Sequence, residues 1–133
     1  MVTIDEAEAM LNDITDELTP DFFEALNGGV CLLPEAKRHP EARGDDLYIL
    51  GEYHRDAMGR YIYMYYGSFV RVFGDIPPEA FKRELRKTLL HEFTHHFESR
   101  AGERGLEIKD ELDMERYRER RGRGKRYNGR WGL

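Results

Sequence analysis

Four residues in this chain are equipped for chemistry at close quarters: His91, Glu92, His95 and His96, in the run His91-Glu92-Phe93-Thr94-His95-His96. The run contains an H-E-x-x-H pattern. On a helix, positions four apart share a face about one turn from each other, so His91 and His95 can aim both imidazoles at one point. Zinc suits that arrangement, because it takes neutral His nitrogens at roughly 2.0–2.1 Å and tolerates a tetrahedral site with one open position. Glu92 projects beside such a metal and can take a proton from the water it activates. His96 points roughly 100° away from His95 on a helix, which suits a bond to a carboxylate or to substrate better than to zinc. The chemistry this pattern fits is metal-assisted hydrolysis of a peptide bond. A buried helix whose histidines bond neighbouring carbonyls is the competing account of the same residues.

A long helix has to carry the motif, and the residues upstream predict one. Asp75-Ile76-Pro77-Pro78-Glu79 reads as a helix start, with an acidic cap candidate, prolines where N–H groups would be unpaired, and Glu in the first turn. Phe81, Leu85, Leu89 and Glu92 follow at intervals of four and three, and Leu90, Phe93 and Phe97 widen the stripe. Lys82, Arg83, Glu84, Arg86 and Lys87 crowd the early part, so the motif falls where the helix enters the core. Further upstream, Thr3 and Glu6 have capping-box spacing before an amphipathic helix through Ile4, Ala7, Leu11, Ile14 and Leu18. A short second helix through Phe22, Phe23 and Leu26 is expected to stop at Asn27-Gly28-Gly29. Val30 to Leu33, Leu47 to Tyr53 and Tyr61 to Phe73 read as strands, with a turn over His54 to Gly59 and a bulge or bend at Gly67-Ser68. Pro34 to Asp46 reads as a loop. In Tyr61 to Tyr66 the alternation puts Tyr61, Tyr63 and Tyr65 on one face. If that strand lies at a sheet edge it could pair with an extended peptide, Ser68 to Phe73 forming the upper wall of a cleft.

Bulk properties narrow the class. A chain of 133 residues supports one core, and 21 basic against 26 acidic residues leave a net charge of -5. No apolar run reaches the length of a membrane span, and the opening Met1-Val2-Thr3-Ile4-Asp5-Glu6 is acidic where a secretory signal would be basic. Lone Cys31, flanked by Val30, Leu32 and Leu33, reads as a core residue in a reducing compartment, so the expected location is cytoplasmic. Basic residues cluster from Arg116 to Arg130, and Gly122, Gly124 and Gly129 punctuate that stretch. It is expected either to fold back on an acidic body through Tyr127 and Trp131 or to contact RNA. The domain is set at residues 1–121, with 122–133 as a basic Gly/Arg-rich tail.

Several segments together resemble the small bacterial "possible zincin", or mini-zincin, metallopeptidase family. They are the N-terminal helix, Leu26-Asn27-Gly28-Gly29-Val30, Asp46-Leu47-Tyr48-Ile49-Leu50-Gly51-Glu52-Tyr53, Tyr65-Tyr66-Gly67-Ser68-Phe69, and Arg86 through His96. The resemblance runs to about Asp110. It implies an α+β fold of reduced zincin type: N-terminal helices, a small mixed sheet of three to four strands, a long active-site helix, a C-terminal helix and a basic tail. It also implies a zinc peptidase acting on peptide or protein substrates, with His91 and His95 as metal ligands and Glu92 as general base. Family members often place an Asp soon after the paired His, following a Gly-Ile-like step. Ile108-Lys109-Asp110 matches that step beyond an apparent insertion, so the resemblance implies Asp110 as third ligand. Glu98, Glu111 and Glu115 remain alternatives. A metzincin would need Gly at 98 and His at 101, where Glu98 and Ala101 stand. The rival function is a non-catalytic metal-holding protein whose basic C-terminal arm contacts RNA or a ribonucleoprotein.

Overall fold

Thr3 and Glu6 close the start of the first helix reciprocally. The Thr3 hydroxyl accepts from the Glu6 N–H at 3.2 Å and the Glu6 carboxylate accepts from the Thr3 N–H at 2.8 Å. The Thr3 backbone and hydroxyl bonds together lower the Glu6 pKa from its ordinary value. Helix α1, Ile4–Glu17, buries Ala7, Leu11 and Ile14, the stripe its periodicity predicts. The computed structural model describes residues 1–44 and 47–103. The chain divides into two compact units, Met1–Leu89 and Leu90–Leu133; the expected boundary after residue 121 lies outside the described residues.

In the first unit, a 3-10 turn over Pro20–Phe23 leads to strands β1 (Val30–Leu33), β2 (Lys37–Arg38), β3 (Tyr48–Ile49), β4 (Gly51–Asp56) and β5 (Gly59–Tyr65). Helix α2 (Tyr66–Phe73) follows, and helix α3 begins at Pro78 and runs to Glu103. The described residues thus form an α+β fold with one sheet ordered β1-β5-β4 and a second pairing β2 with β3. The three-stranded sheet is mixed, β1 lying parallel and β4 antiparallel to β5. Among the described residues, no helix is long and apolar enough to cross a membrane.

Several expectations are corrected, among them the loop from Pro34 to Asp46, which holds β2, and the single strand from Leu47 to Tyr53, which is split between β3 and β4 in different sheets. The segment Tyr66–Phe73 is helical: β5 ends at Tyr65 and α2 begins at the next residue. Aromatic and β-branched residues suggested strand, but Phe69 at the inner face packs on Phe81 at 5.8 Å and on Phe73 at 6.0 Å, a helical spacing that tertiary contacts select. Nor is β5 a sheet edge; partners on both sides leave no backbone there for a peptide, and Ser68 to Phe73 cannot wall a strand-pairing cleft. Cys31 is exposed, because Val30 and Leu32 pair in register with the buried Ile62 and Met64 while Cys31 takes the opposite side. Finally, the expected second helix is only the 3-10 turn, and Asn27 serves the β4–β5 hairpin: its amide donates to the Met58 carbonyl at 3.2 Å and accepts from the Arg60 N–H at 2.9 Å. The hairpin turn itself tightens to Ala57 and Met58, since His54 to Asp56 still pair with β5.

Gly67 shows why α2 starts where it does. Its N–H lies within hydrogen-bond reach of the Pro34 and Glu35 carbonyls at 3.2 and 3.1 Å, and a β-carbon there would sit 2.5 Å from the Ala36 nitrogen. All three neighbours are backbone, so they have little room to yield. Gly67→Ala is expected to destabilise the fold by about 2 kcal/mol, measured by urea unfolding; an unchanged midpoint would show that the Pro34–Ala36 backbone moves freely.

On the outer face of the sheet, Tyr61 and Tyr63 stand 4.9 Å apart, and His54 stacks on Tyr61 at 5.0 Å. Next to them Glu52 gathers three donors: Lys37 Nζ at 2.8 and 2.9 Å, the Tyr65 hydroxyl at 2.6 Å and His54 Nε2 at 3.1 Å. Partial burial works against the charged carboxylate, but the bonds from Lys37 and Tyr65 and the charges of Lys37 and His54 outweigh it, and the Glu52 pKa falls below its ordinary value. Burial first, then the bond to Glu52, pushes the Tyr65 hydroxyl pKa upward. Because Lys37 lies in β2 and Tyr65 in β5, one carboxylate ties the two sheets together. A carboxylate with a depressed folded pKa adds stability that is complete above its unfolded pKa and is lost as pH falls through the folded value. Glu52→Gln should therefore cost about 2 kcal/mol near neutral pH. The gap from wild type should shrink below pH ~4, read from denaturant midpoints across a pH series. A gap independent of pH would assign the effect to packing.

Candidate metal centre

Helix α3 owes its start to Pro78 at its first position and Glu79 in its first turn, as expected, with the Phe81 N–H bonded to the Pro77 carbonyl at 3.0 Å. Asp75 does not cap it; its carboxylate pairs with the terminal ammonium of Met1 at 3.2 Å. Lys82 and Arg86 reach Asp13 and Glu17 of α1 at 3.5 and 2.6 Å on the solvent side. The predicted stripe is buried through Phe81, Leu85 and Leu89. Gly51 lets β4 approach the same helix, since a β-carbon there would meet the Thr88 methyl at 2.9 Å.

Within the second unit the described residues are the remainder of α3, Leu90 to Glu103. No proline interrupts it, and the only glycine, Gly102, falls next to its end, so the motif keeps helical geometry throughout. The Nε2 atoms of His91 and His95 approach to 3.3 Å, with ring centroids 4.8 Å apart and planes crossed at 87°. Two nitrogens each about 2.05 Å from a tetrahedral zinc lie about 3.3 Å apart. The pair already has the spacing of one edge of such a tetrahedron. Two nitrogens at this distance can also share a proton, and the same geometry serves both uses.

Glu92 is buried at 6% exposure, and Phe93 and His96 are fully buried. The His96 ring lies 6.4 Å from Phe93 and 5.9 Å from Phe97, on a different face from the His91–His95 pair, as the 100° step requires. The Thr94 hydroxyl donates to the Leu90 carbonyl at 3.1 Å, which keeps this polar side chain against its own helix. Glu98 Oε1 lies 3.8 Å from His95 Nδ1, so it faces the ring nitrogen opposite the converging one. That placement speaks against Glu98 as the third ligand.

The structure thus brings together two of the expected metal ligands and leaves the third open. Asp110, Glu111 and Glu115, like the expected C-terminal helix and the basic tail, lie outside the described residues. Among the described residues no group of three or more His, Cys, Asp or Glu is arranged to hold a metal ion. His39 and His54 have local bonds, His39 accepting from the Glu41 N–H at 3.0 Å and His54 meeting Glu52. The Glu52 cluster was not anticipated from sequence, although Glu52 and His54 two apart in a strand signal a shared face.

No family model and no curated protein matches this chain. Among solved structures, it is similar to a conserved hypothetical protein from Thermus thermophilus. The identity is 35% over 76% of this chain and 99% of that one, with a TM-score of 0.65. His91→Ala and His95→Ala should each abolish stoichiometric zinc uptake, measured by elemental analysis after gel filtration. Helical content should hold in His95→Ala in particular, because that side chain is half exposed. One equivalent of zinc retained by both variants would place any metal elsewhere.

Proposed function

The chain belongs to the family of the conserved hypothetical protein from Thermus thermophilus, and we propose, from the residues of α3, that it is a zinc-dependent peptidase. The observation that carries this reading is the 3.3 Å approach of the His91 and His95 Nε2 atoms one residue away from a buried Glu92. His91 and His95 would hold the metal, and Asp110 is the third ligand that the resemblance to mini-zincins supplies. Zinc bound by such donors contributes Lewis acidity, which acidifies water and polarises a carbonyl. The rest is the work of the chain. The Glu92 carboxylate accepts the proton of the attacking water and delivers it to the amine nitrogen as the peptide C–N bond breaks. Its burial keeps bulk solvent from intercepting that proton between the two transfers. The His95 side chain, 50% exposed, sits at the solvent side of the pair and gives a peptide carbonyl a route to it.

Glu92→Gln separates binding from chemistry, because the amide keeps the shape and loses the base. It should hold one equivalent of zinc and hydrolyse a peptide library about 10²- to 10⁴-fold more slowly than wild type. Undiminished turnover by this variant would remove Glu92 from the mechanism.

A further inference from the structure

Resting on the zinc reading above, we propose that Glu98 is the positioning residue for His95, holding its imidazole by Nδ1 so that Nε2 presents a lone pair. An imidazole has two nitrogens on different edges of one rigid ring, and in His95 the two have different neighbours. Nε2 converges with Nε2 of His91 at 3.3 Å, while Nδ1 faces Glu98 Oε1 at 3.8 Å. At 3.8 Å the carboxylate stands a small side-chain rotation beyond hydrogen-bond distance of Nδ1; closing that gap gives an Nδ1–H its acceptor and leaves Nε2 as the donor atom. Ligating histidines usually hand their second ring N–H to a carboxylate or carbonyl in this way, which fixes both tautomer and ring orientation.

The helix builds the contact. Glu98 stands three residues after His95, and α3 continues to Glu103, so the two side chains are neighbours on one surface. Both are partly exposed, at 50% for His95 and 35% for Glu98, so the pair is reached without disturbing a core. The same geometry separates this role from that of a ligand, because Glu98 Oε1 approaches the wrong edge of the ring to share a metal with the two Nε2 atoms.

The test uses the full chain as wild type, Glu98→Gln and Glu98→Ala, with zinc affinity from chelator competition and the His95 tautomer from ¹⁵N resonances of the zinc-free protein. Glu98→Ala should weaken zinc binding about 10- to 100-fold and shift the His95 proton toward Nε2, with helical content unchanged. Glu98→Gln, which keeps an oxygen acceptor, should lose less. Wild-type affinity and an unchanged tautomer in Glu98→Ala would overturn the proposal. So would a loss beyond about 1,000-fold, well past the second-sphere range, with a cobalt(II) spectrum showing one ligand fewer, since Glu98 would then bind the metal itself. A wild-type chain that takes up no zinc would sink the peptidase reading, and the tautomer measurement would still decide whether Glu98 holds the ring.

Discussion

The four-residue recurrence of imidazole on an unbroken helix is the constraint on which the functional reading depends. Helical spacing sets His91 and His95 on one face, where their Nε2 atoms approach to 3.3 Å, and nothing in the segment from Leu90 to Ala101 breaks that geometry. The neighbours in sequence are sorted by the same rotation. Glu92, Phe93 and His96 turn into buried positions, while His95 stays half exposed and Glu98 comes round to the far edge of its ring. One element therefore brings together a converging imidazole pair, a buried carboxylate and a second carboxylate against the other ring nitrogen, the set from which the proposed metal chemistry is argued.

The first unit obtains order by different means, because its strands are short and two of them span only two residues each. Such strands cannot hold register by ladder bonds alone. Side chains do part of that work. Asn27 clasps the β5 end of the β4–β5 turn from Met58 to Arg60, and Glu52 collects Lys37, His54 and Tyr65 from three strands. Asn27 reaches partners 31 and 33 residues away and Glu52 partners 13 and 15 residues away, which joins local turns to tertiary structure.

Legibility from sequence followed the reach of the physics involved. Local rules were sufficient for the capping box at Thr3, the stripe from Phe81 to Leu89 and the facing of His91 and His95, because helical spacing alone determines them. They failed at Tyr66–Phe73, where aromatic and β-branched residues favour strand but the packing of Phe69 on Phe81 selects helix. They failed at Cys31 for a related reason: its apolar neighbours say nothing about which face of β1 is inward until Ile62 and Met64 take up register beside it. The Glu52 cluster depends on contacts 13 and 15 residues apart, beyond what periodicity can reveal. Asp110 rests on family likeness alone and lies outside the described residues.

The direct passage from Tyr65 at the end of β5 to Tyr66 at the start of α2 has a consequence for how this chain can change over time. With no linker, the pleat of the strand and the rotation of the helix are geared together. Adding or deleting one residue at the join would either turn Ile62 and Met64 outward or swing Phe69 roughly 100° off Phe81. Insertions and deletions among relatives should therefore avoid this seam and collect elsewhere, for instance in the stretch between β2 and β3, where extra length leaves both periods in phase.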